Sequence, residues 1–239
     1  MIKRFGGLVF KNYKVSKALL NAKPTFNFST LEEIEKSKGK LFKAVDREYK
    51  FEQDNFQKDE SIEEFLQQRN LKLVEQEDSI YIDLISEQDG HQVTVSFQSR
   101  SPYEEGAEEE EVEQQQQQQE EEMPYQDYCD FTVYIQKKGE GKALAYECSS
   151  QDSEINVHAV NLVSDINAHK YQNRFERITQ QYVGPDFNTL DERLQTGFIE
   201  YLKSVGVDEE LAAFVEHVSL DKEQRLYAKW LGELREFLC

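Results

Sequence analysis

Between Leu71 and Val163 the apolar residues of this chain recur at every second position, in six short segments separated by turn-like sequences. A period of two is typical of β-strands that place one face against a core. The segments are LKLVEQ, IYIDLIS, HQVTVSFQ, DFTVYIQ, ALAYEC and the stretch from Ile155 to Val163. Because consecutive strands on short turns pair as antiparallel neighbours, we expect a meander with one buried face. A short seventh strand is expected near Gln180–Val183.

The alternation also indicates which side chains of the central strands point into the core. These are Val93, Val95 and Phe97, then Phe131, Val133 and Ile135, then Leu144, Tyr146 and Cys148. Asp89-Gly90 is a strong signal for a hairpin turn. The segment KKGEGK is expected to turn the chain between the fourth and fifth strands.

The sequence before the strands has the period of a helix. Apolar residues recur at spacings of three, four and seven from Leu31 to about Arg69, and a second short helical piece starts at Ser61. Thr30 and Glu33 have the spacing of a capping box, which predicts that the first helix begins there. The apolar stripe is narrow, which is typical of a helix that packs against a partner.

The sequence after the strands is helical again. One stripe contains Leu190, Leu194, Phe198, Leu202 and Val205. Gly206 is expected to end that helix and Asp208 to begin the next, with Asp221 capping the chain again midway. The last stripe contains Tyr227, Trp230, Leu231, Leu234 and Phe237, which we expect to form core and subunit contacts. The order of helix, antiparallel sheet and helices predicts an α+β fold.

A tract of glutamate and glutamine interrupts the strands. Residues 104–124 read EEGAEEEEVEQQQQQQEEEMP and contain no lysine or arginine. We expect residues 101–125 to form a solvated, disordered loop. The alternative is a calcium site in this tract, but the tract lacks the shaped loop with a turn glycine that such a site requires. The glutamates that would bind a partner are Glu104, Glu105, Glu108, Glu109, Glu110, Glu111, Glu113, Glu120, Glu121 and Glu122.

The charge of the chain limits its partners. The sequence has 28 basic and 47 acidic residues, for a net charge of −19. A surface this negative disfavours direct, high-affinity binding to nucleic acid, which depends on lysine and arginine. Basic proteins are the favoured partners, and their attraction should weaken with salt. The sequence has no apolar run of the length that a transmembrane helix requires.

The first thirty residues differ from the rest of the chain. They contain six lysines and arginines and no aspartate or glutamate. Basic, acid-free and mildly amphipathic sequence is typical of mitochondrial targeting segments. The alternative is a retained basic arm that binds something acidic. Residues 1–30 are therefore assigned to a targeting segment or arm, and residues 31–239 to the folded domain.

Catalytic and metal-binding patterns are missing from the sequence. The four histidines share no metal-ligand spacing, and His169 is expected in a loop. Cys129 and Cys148 are interpreted as small sheet residues, and three cysteines without a CxxC pair fit a reducing compartment. Gly139-Glu140-Gly141-Lys142 lacks features of a phosphate-binding loop and is interpreted as a hairpin turn. The sequence supports no enzyme, no cofactor and no metal site.

The C-terminal residues resemble one known family. The ordered set is Tyr182, Gly184-Pro185, Phe187, Leu190-Asp191, Leu194-Gln195, Phe198, Tyr201-Leu202, Gly206-Val207, Leu211, Tyr227, Trp230-Leu231, Leu234 and Phe237. This set resembles the mitochondrial acidic matrix protein family, known as Mam33, p32 or the receptor for the globular head of complement component 1q. The resemblance covers about Leu31 to Leu238, and the six-glutamine insert departs from it.

The resemblance implies a fold and an assembly. The expected fold is a seven-stranded antiparallel sheet flanked by one N-terminal and two C-terminal helices. Three subunits, identical or paralogous, would form a ring with uneven charge, in which the first and last helices pack together, partly across subunits. The acidic tract would be a loop on one face of that ring.

The resemblance also implies two functional hypotheses. The first is a non-enzymatic adaptor or chaperone of the mitochondrial matrix that binds basic proteins and supports mitochondrial translation, ribosome assembly or oxidative phosphorylation. The second is a structural subunit of a large respiratory or ribosomal complex, in which a retained basic arm would serve as an anchor. The family has no catalytic motif to carry over to this chain.

Overall fold

The computed structural model describes residues 30–56, 59–88, 90–99, 128–172, 177, 179 and 182–239. The helices in these residues are α1 (Leu31–Asn55), α2 (Glu60–Gln68), α3 (Ile166–Tyr171), α4 (Glu192–Ser204) and α5 (Glu209–Leu238), with a 3-10 turn at Phe187–Thr189. Arg177 and Thr179 are also helical. The strands are β1 (Lys72–Glu75), β2 (Tyr81–Gln88), β3 (His91–Gln98), β4 (Tyr128–Lys137), β5 (Ala143–Gln151) and β6 (Glu154–Val163). The targeting segment and the loop at 101–125 are predictions that fall outside these residues, apart from Thr30.

The strands form one antiparallel meander in the order β1-β2-β3-β4-β5-β6. The register places Leu84 opposite Val95, Val95 opposite Val133, and Val133 opposite Tyr146. The paired side chains therefore form a continuous apolar row across four strands, as the period of two predicts. Gly90 has a φ of +79° in the turn between β2 and β3, which a glycine adopts without strain.

The first face of the sheet is covered by helices. Leu202 of α4 and Leu211, Val215 and Val218 of α5 are buried against the apolar row. The α2 helix adds Phe65, whose ring stacks on Phe214 of α5 with 4.1 Å between the ring centroids. The inward side chains predicted for β3 and β4 are all buried, which confirms that part of the prediction.

Two helix boundaries are also confirmed. The Thr30 hydroxyl accepts a hydrogen bond from the Glu33 amide, and the Glu33 carboxylate accepts one from the Thr30 amide. At the end of α4, the Val207 amide bonds to the Leu202 carbonyl and the Gly206 amide to that of Lys203. With a φ of +85° at Gly206, this is a Schellman motif.

The predicted seventh strand is wrong for the residues that can be assessed. Residues 180 and 181 lie outside the described part, whereas Tyr182 and Val183 are not in a strand. The reason lies in the next two residues. Gly184 has a φ of +80°, and a Cβ there would lie 3.2 Å from the carbonyl oxygen of Val160. Pro185 has no amide hydrogen to donate. This segment approaches β6 closely without pairing to it as a strand.

Three further predictions need correction. Asp221 does not cap a new helix, because α5 is continuous from Glu209 to Leu238. Its carboxylate accepts a hydrogen bond of 2.8 Å from Arg225 Nε in the same helix. Asp221 thus bonds to a side chain and not to the free backbone amides of a helix start. The first helical region ends at Asn55, before α2 begins at Glu60. The expectation of a single buried face is also wrong, because the sheet buries part of its second face, where Tyr134, Ala143 and Ala145 are covered.

Candidate binding surfaces

The helices α1 and α5, the first and last of the described elements, pack side by side. Val45 of α1 and Leu231 and Leu238 of α5 are buried in their contact. A Cβ at Gly232 would lie 3.3 Å from the Tyr49 ring, so the glycine permits a close approach of the two helices. Phe42, Tyr227 and Leu234 pack around this cluster. Of the predicted contact residues, Leu231 is therefore buried, and Tyr227 and Leu234 are partly so.

The other two predicted contact residues are on the surface of the protomer. Trp230 is 52% exposed and Phe237 is 82% exposed. They lie seven residues apart and therefore on the same side of α5. Ile34 and Leu41, also seven residues apart, are exposed on α1. We call these four side chains the apolar flank. Contiguous exposed apolar patches are typical of interaction surfaces, so these side chains are candidates for such a surface.

Ion pairs attach the middle of α5 to the first hairpin of the sheet. The Lys222 ammonium is buried, and donates to the Gln76 carbonyl at 2.8 Å, with Glu75 at 3.2 Å. Arg225 binds both carboxylate oxygens of Glu75, at 2.9 and 3.1 Å. Burial opposes ionisation of Glu75, but Arg225 and Lys222 outweigh it and lower its pKa. These contacts fix the direction of α5 and hence of the apolar flank.

A buried polar cluster lies on the second face of the sheet, at β4, β5 and β6. Glu147 Oε1 is 3.1 Å from Arg177 Nη1 and 3.3 Å from Asn161 Nδ2. His169, which lies in α3 rather than in a loop, contacts Arg177 through Nε2 and Tyr134 Oη through Nδ1 at 2.9 Å. A guanidinium only donates, so Nε2 accepts and the proton of the neutral imidazole is on Nδ1. We call these five residues the polar cluster.

Burial, followed by the charge of Arg177, lowers the pKa of His169 to about 4. The unfolded chain, with a histidine pKa near 6.5, therefore binds a proton between these values that the folded chain does not. We expect the free energy of unfolding to be fully retained above pH 6.5 and to fall by about 2–3 kcal/mol as the pH drops to 4. Chemical denaturation at several pH values would measure this slope. A His169→Gln variant should lose this part of the slope, and an unchanged slope would contradict the assignment.

In the described residues, the buried cysteines do not have the features of a reactive thiol, and the glycine turn does not have those of a phosphate-binding loop. Cys129 and Cys148 are buried in the sheet, and burial raises the pKa of the Cys148 thiol, which disfavours the reactive thiolate. Gly139 lies in the turn between β4 and β5, as expected. A cavity of about 330 Å³ lies between this turn and the one before β3. Its Lys137 and Lys138 are near Glu140 and Glu87, at 3.7 and 3.6 Å, so its charges largely cancel.

The described residues lack two further features. No group of three or more His, Cys, Asp or Glu side chains in this part of the chain could hold a metal ion. None of its helices is long and apolar enough to cross a bilayer.

The predicted acidic loop cannot be placed among these surfaces. Its glutamates, Glu104, Glu105, Glu108, Glu109, Glu110, Glu111, Glu113, Glu120, Glu121 and Glu122, lie outside the described residues. The polar cluster could not be predicted from the sequence, because its members are far apart in the chain and follow no period. A row of basic residues on α1 was not among the predicted site residues, although its spacing is visible in the sequence.

Comparison with known proteins gives a consistent result. The profile of the MAM33 family, described as mitochondrial glycoprotein, matches residues 45–238. The mitochondrial acidic protein mam33 of Schizosaccharomyces pombe is 33% identical over 123 residues, which are 49% of this chain and 45% of that protein. An uncharacterised mitochondrial protein of Arabidopsis thaliana is 28% identical over 106 residues, 44% of this chain and 39% of that protein. Both matches thus span less than half of the relative.

Two solved structures are similar in fold. A Leishmania major protein of unknown function, described as a sequence homologue of human p32, has a TM-score of 0.62. The Trypanosoma brucei p22 protein has a TM-score of 0.60. Each is 20% identical to this chain, and each match covers 85% of this chain and 99% of the other. At 20% sequence identity, these two matches establish the fold of this chain alone.

Proposed function

Because this chain belongs to the MAM33 mitochondrial glycoprotein family, we propose that it is a non-enzymatic, acidic adaptor or chaperone of the mitochondrial matrix. It would bind basic proteins and support mitochondrial translation, ribosome assembly or oxidative phosphorylation. The observation that carries this proposal is the net charge of −19 on a chain of 239 residues. A field of this sign attracts cationic partners, speeds their association and repels anionic ones.

The assembly that we propose is a trimer held through the apolar flank. Trp230 and Phe237 lie on a helix that ion pairs fix to the sheet, so they face solvent from a rigid support. Aromatic side chains with this exposure are frequent anchors of protein interfaces. Three copies would also bring three sets of acidic residues together, which strengthens the field that a basic partner experiences.

The glutamate tract is the part of the chain that we propose to contact the partner. It concentrates ten carboxylates within nineteen residues, from Glu104 to Glu122. The proposal needs no fixed structure in the tract, since attraction between a chain of carboxylates and a basic surface is long-ranged and non-directional.

A charge-neutralising variant tests the tract. Glu108, Glu109, Glu110, Glu111 and Glu113 would be replaced by glutamine, and binding to a polylysine peptide measured by titration calorimetry at low and high salt. We expect wild-type binding to disappear near 1 M salt, where the Debye length is about 3 Å. The tract variant should bind roughly tenfold more weakly.

A matched control separates the tract from overall charge. It replaces Glu35, Glu77, Glu154, Glu200 and Glu236, which are exposed, and so removes the same number of charges elsewhere. A control that weakens binding as much as the tract variant would assign the binding to the whole acidic surface. Wild-type protein that shows no salt-sensitive binding would contradict the adaptor proposal itself.

The second functional hypothesis, a structural subunit of a large complex, is favoured by the same apolar flank. A permanent partner could cover Trp230 and Phe237 in place of a second copy. Sedimentation of a mild mitochondrial lysate distinguishes the two hypotheses. A peak near three subunits supports the free adaptor, whereas migration with a ribosomal or respiratory particle supports the structural subunit.

A further inference from the structure

The outward side of α1 carries a straight row of cations on an otherwise acidic chain. Lys36, Lys40, Lys43, Arg47 and Lys50 are all exposed. Their spacing of four, three, four and three residues keeps them within one side of the helix. With a rise of 1.5 Å per residue, the row is about 21 Å long. We call these five residues the basic row.

The basic row lies on the side of α1 that faces away from the rest of the protomer. At 100° per residue, Val45 is on the opposite side of the helix from Lys36, Lys40 and Arg47. Val45 is buried in the contact with α5. The packing of α1 on α5 therefore directs the basic row to solvent.

The protomer neutralises one member of the row. Lys50 pairs with Asp46 at 2.7 Å, and Asp46 also accepts from Arg235 of α5 at 2.6 Å. Among the described residues, Lys36, Lys40, Lys43 and Arg47 form no ion pair within 4 Å. The other acid between positions 36 and 50 is Glu48, which lies near Tyr227 of α5. Between positions 36 and 50 the outward side of α1 is thus a region of net positive charge, with the exposed acids Glu32 and Asp54 one turn beyond its two ends.

We propose that the basic row is a docking surface for an anionic lipid bilayer. A bilayer is flat, and a straight row on an exposed helix can bring all its cations to the headgroups together. Each basic residue near an anionic lipid surface strengthens binding roughly fivefold. Phe51 is 60% exposed and follows Arg47 by four residues, so its ring lies beside the row. Aromatic rings next to basic side chains favour the headgroup region.

The overall charge of the chain does not prevent this contact. At physiological ionic strength the Debye length is about 8 Å, so carboxylates on the far side of the protein are largely screened from the lipid. A single-stranded nucleic acid fits the row less well, because such sites stack successive bases on several aromatic rings. Among the aromatic residues of α1, Phe51 is the one on the side of the row.

The test is co-sedimentation of the full chain with lipid vesicles. One set contains phosphatidylcholine with about one third phosphatidylglycerol, and the other contains phosphatidylcholine alone. The row variant carries Lys36→Gln, Lys40→Gln, Lys43→Gln and Arg47→Gln. We expect wild-type protein to bind the anionic vesicles and not those of phosphatidylcholine. The row variant lacks four cations and should bind the anionic vesicles roughly 600-fold more weakly.

The matched control carries Lys72→Gln, Lys137→Gln, Lys138→Gln and Lys142→Gln. These side chains are exposed and lie elsewhere, so both variants lose the same charge. Both also retain the basic residues of positions 1–30, so any binding by that segment is common to them. We expect the control to bind like the wild type, and circular dichroism to show the same fold for all three proteins.

Several results would overturn the proposal. Failure of the wild-type protein to bind anionic vesicles would overturn it, as would an equal loss of vesicle binding in the two variants. A row variant with altered oligomer mass would identify the row as a contact between copies. Row-dependent binding of single-stranded RNA in place of vesicles would identify a nucleic-acid site.

Discussion

Replacing Arg177 with glutamine is expected to lower the free energy of unfolding by about 3–5 kcal/mol, because it removes the cation that lies 3.1 Å from the buried carboxylate of Glu147. Glu147 and Arg177 are both buried, and the guanidinium also contacts His169. Solvent cannot replace the lost charge at this depth. Equilibrium unfolding in urea, followed by circular dichroism, would measure the change.

The matched control for this variant is Arg193→Gln. Arg193 is exposed near the start of α4, and its replacement should change the free energy of unfolding by less than about 0.5 kcal/mol. The double variant Arg177→Met with Glu147→Leu removes both charges and should recover most of the loss. A loss below about 1 kcal/mol for Arg177→Gln, or a double variant less stable than the single one, would contradict the ion pair.

Replacing Trp230 with alanine is expected to dissociate the proposed trimer while leaving the protomer folded. The side chain is half exposed in the protomer, where its ring stacks on Tyr227 with 5.9 Å between centroids. Its loss should therefore cost the protomer about 1 kcal/mol or less. A buried tryptophan anchor at an interface contributes about 2 kcal/mol or more. A closed ring has three such contacts, so the assembly should lose about 6 kcal/mol.

Analytical ultracentrifugation over a range of concentrations would measure the assembly, and thermal unfolding would report on the protomer. Phe51→Ala is the matched control, since Phe51 is similarly exposed but lies on the outward side of α1. We expect it to keep the wild-type mass. A Trp230→Ala protein that sediments like the wild type would exclude Trp230 from the interface. One that unfolds would show that the ring supports the protomer.

The sequence predicts the first face of the sheet well, because local periods determine it. Val95 and Val133 are inward since their neighbours alternate, and the hairpin turns fix the register. The capping box at Thr30 and the glycine at position 206 similarly determine where helices begin and end. Each of these patterns involves a few adjacent residues, so it can be recognised without knowledge of the rest of the fold.

The second face could not be predicted in this way. Tyr134 and His169 are 35 residues apart in the chain, and Glu147 and Arg177 are 30 apart. No period links them, and a polar residue in a strand ordinarily indicates the solvent side. The polar cluster is visible after α3 and Arg177 are placed over β4 and β5.

Periodicity has a second limit in α5. Leu231 and Trp230 belong to the same stripe in the sequence, yet one is buried in the protomer and the other is half exposed. An apolar stripe shows that a side chain is to be covered, and it does not show whether the same chain or another chain covers it.

The two edges of the sheet limit how copies of this protein can join. An unpaired strand edge can recruit another chain and extend into an aggregate. The β1 edge is four residues long, and Arg225 holds its Glu75. The β6 edge is approached so closely at Gly184 that a Cβ would crowd the Val160 carbonyl. Both edges of the described sheet are therefore poor templates for a strand from a neighbouring copy, which agrees with the proposed assembly through the helices.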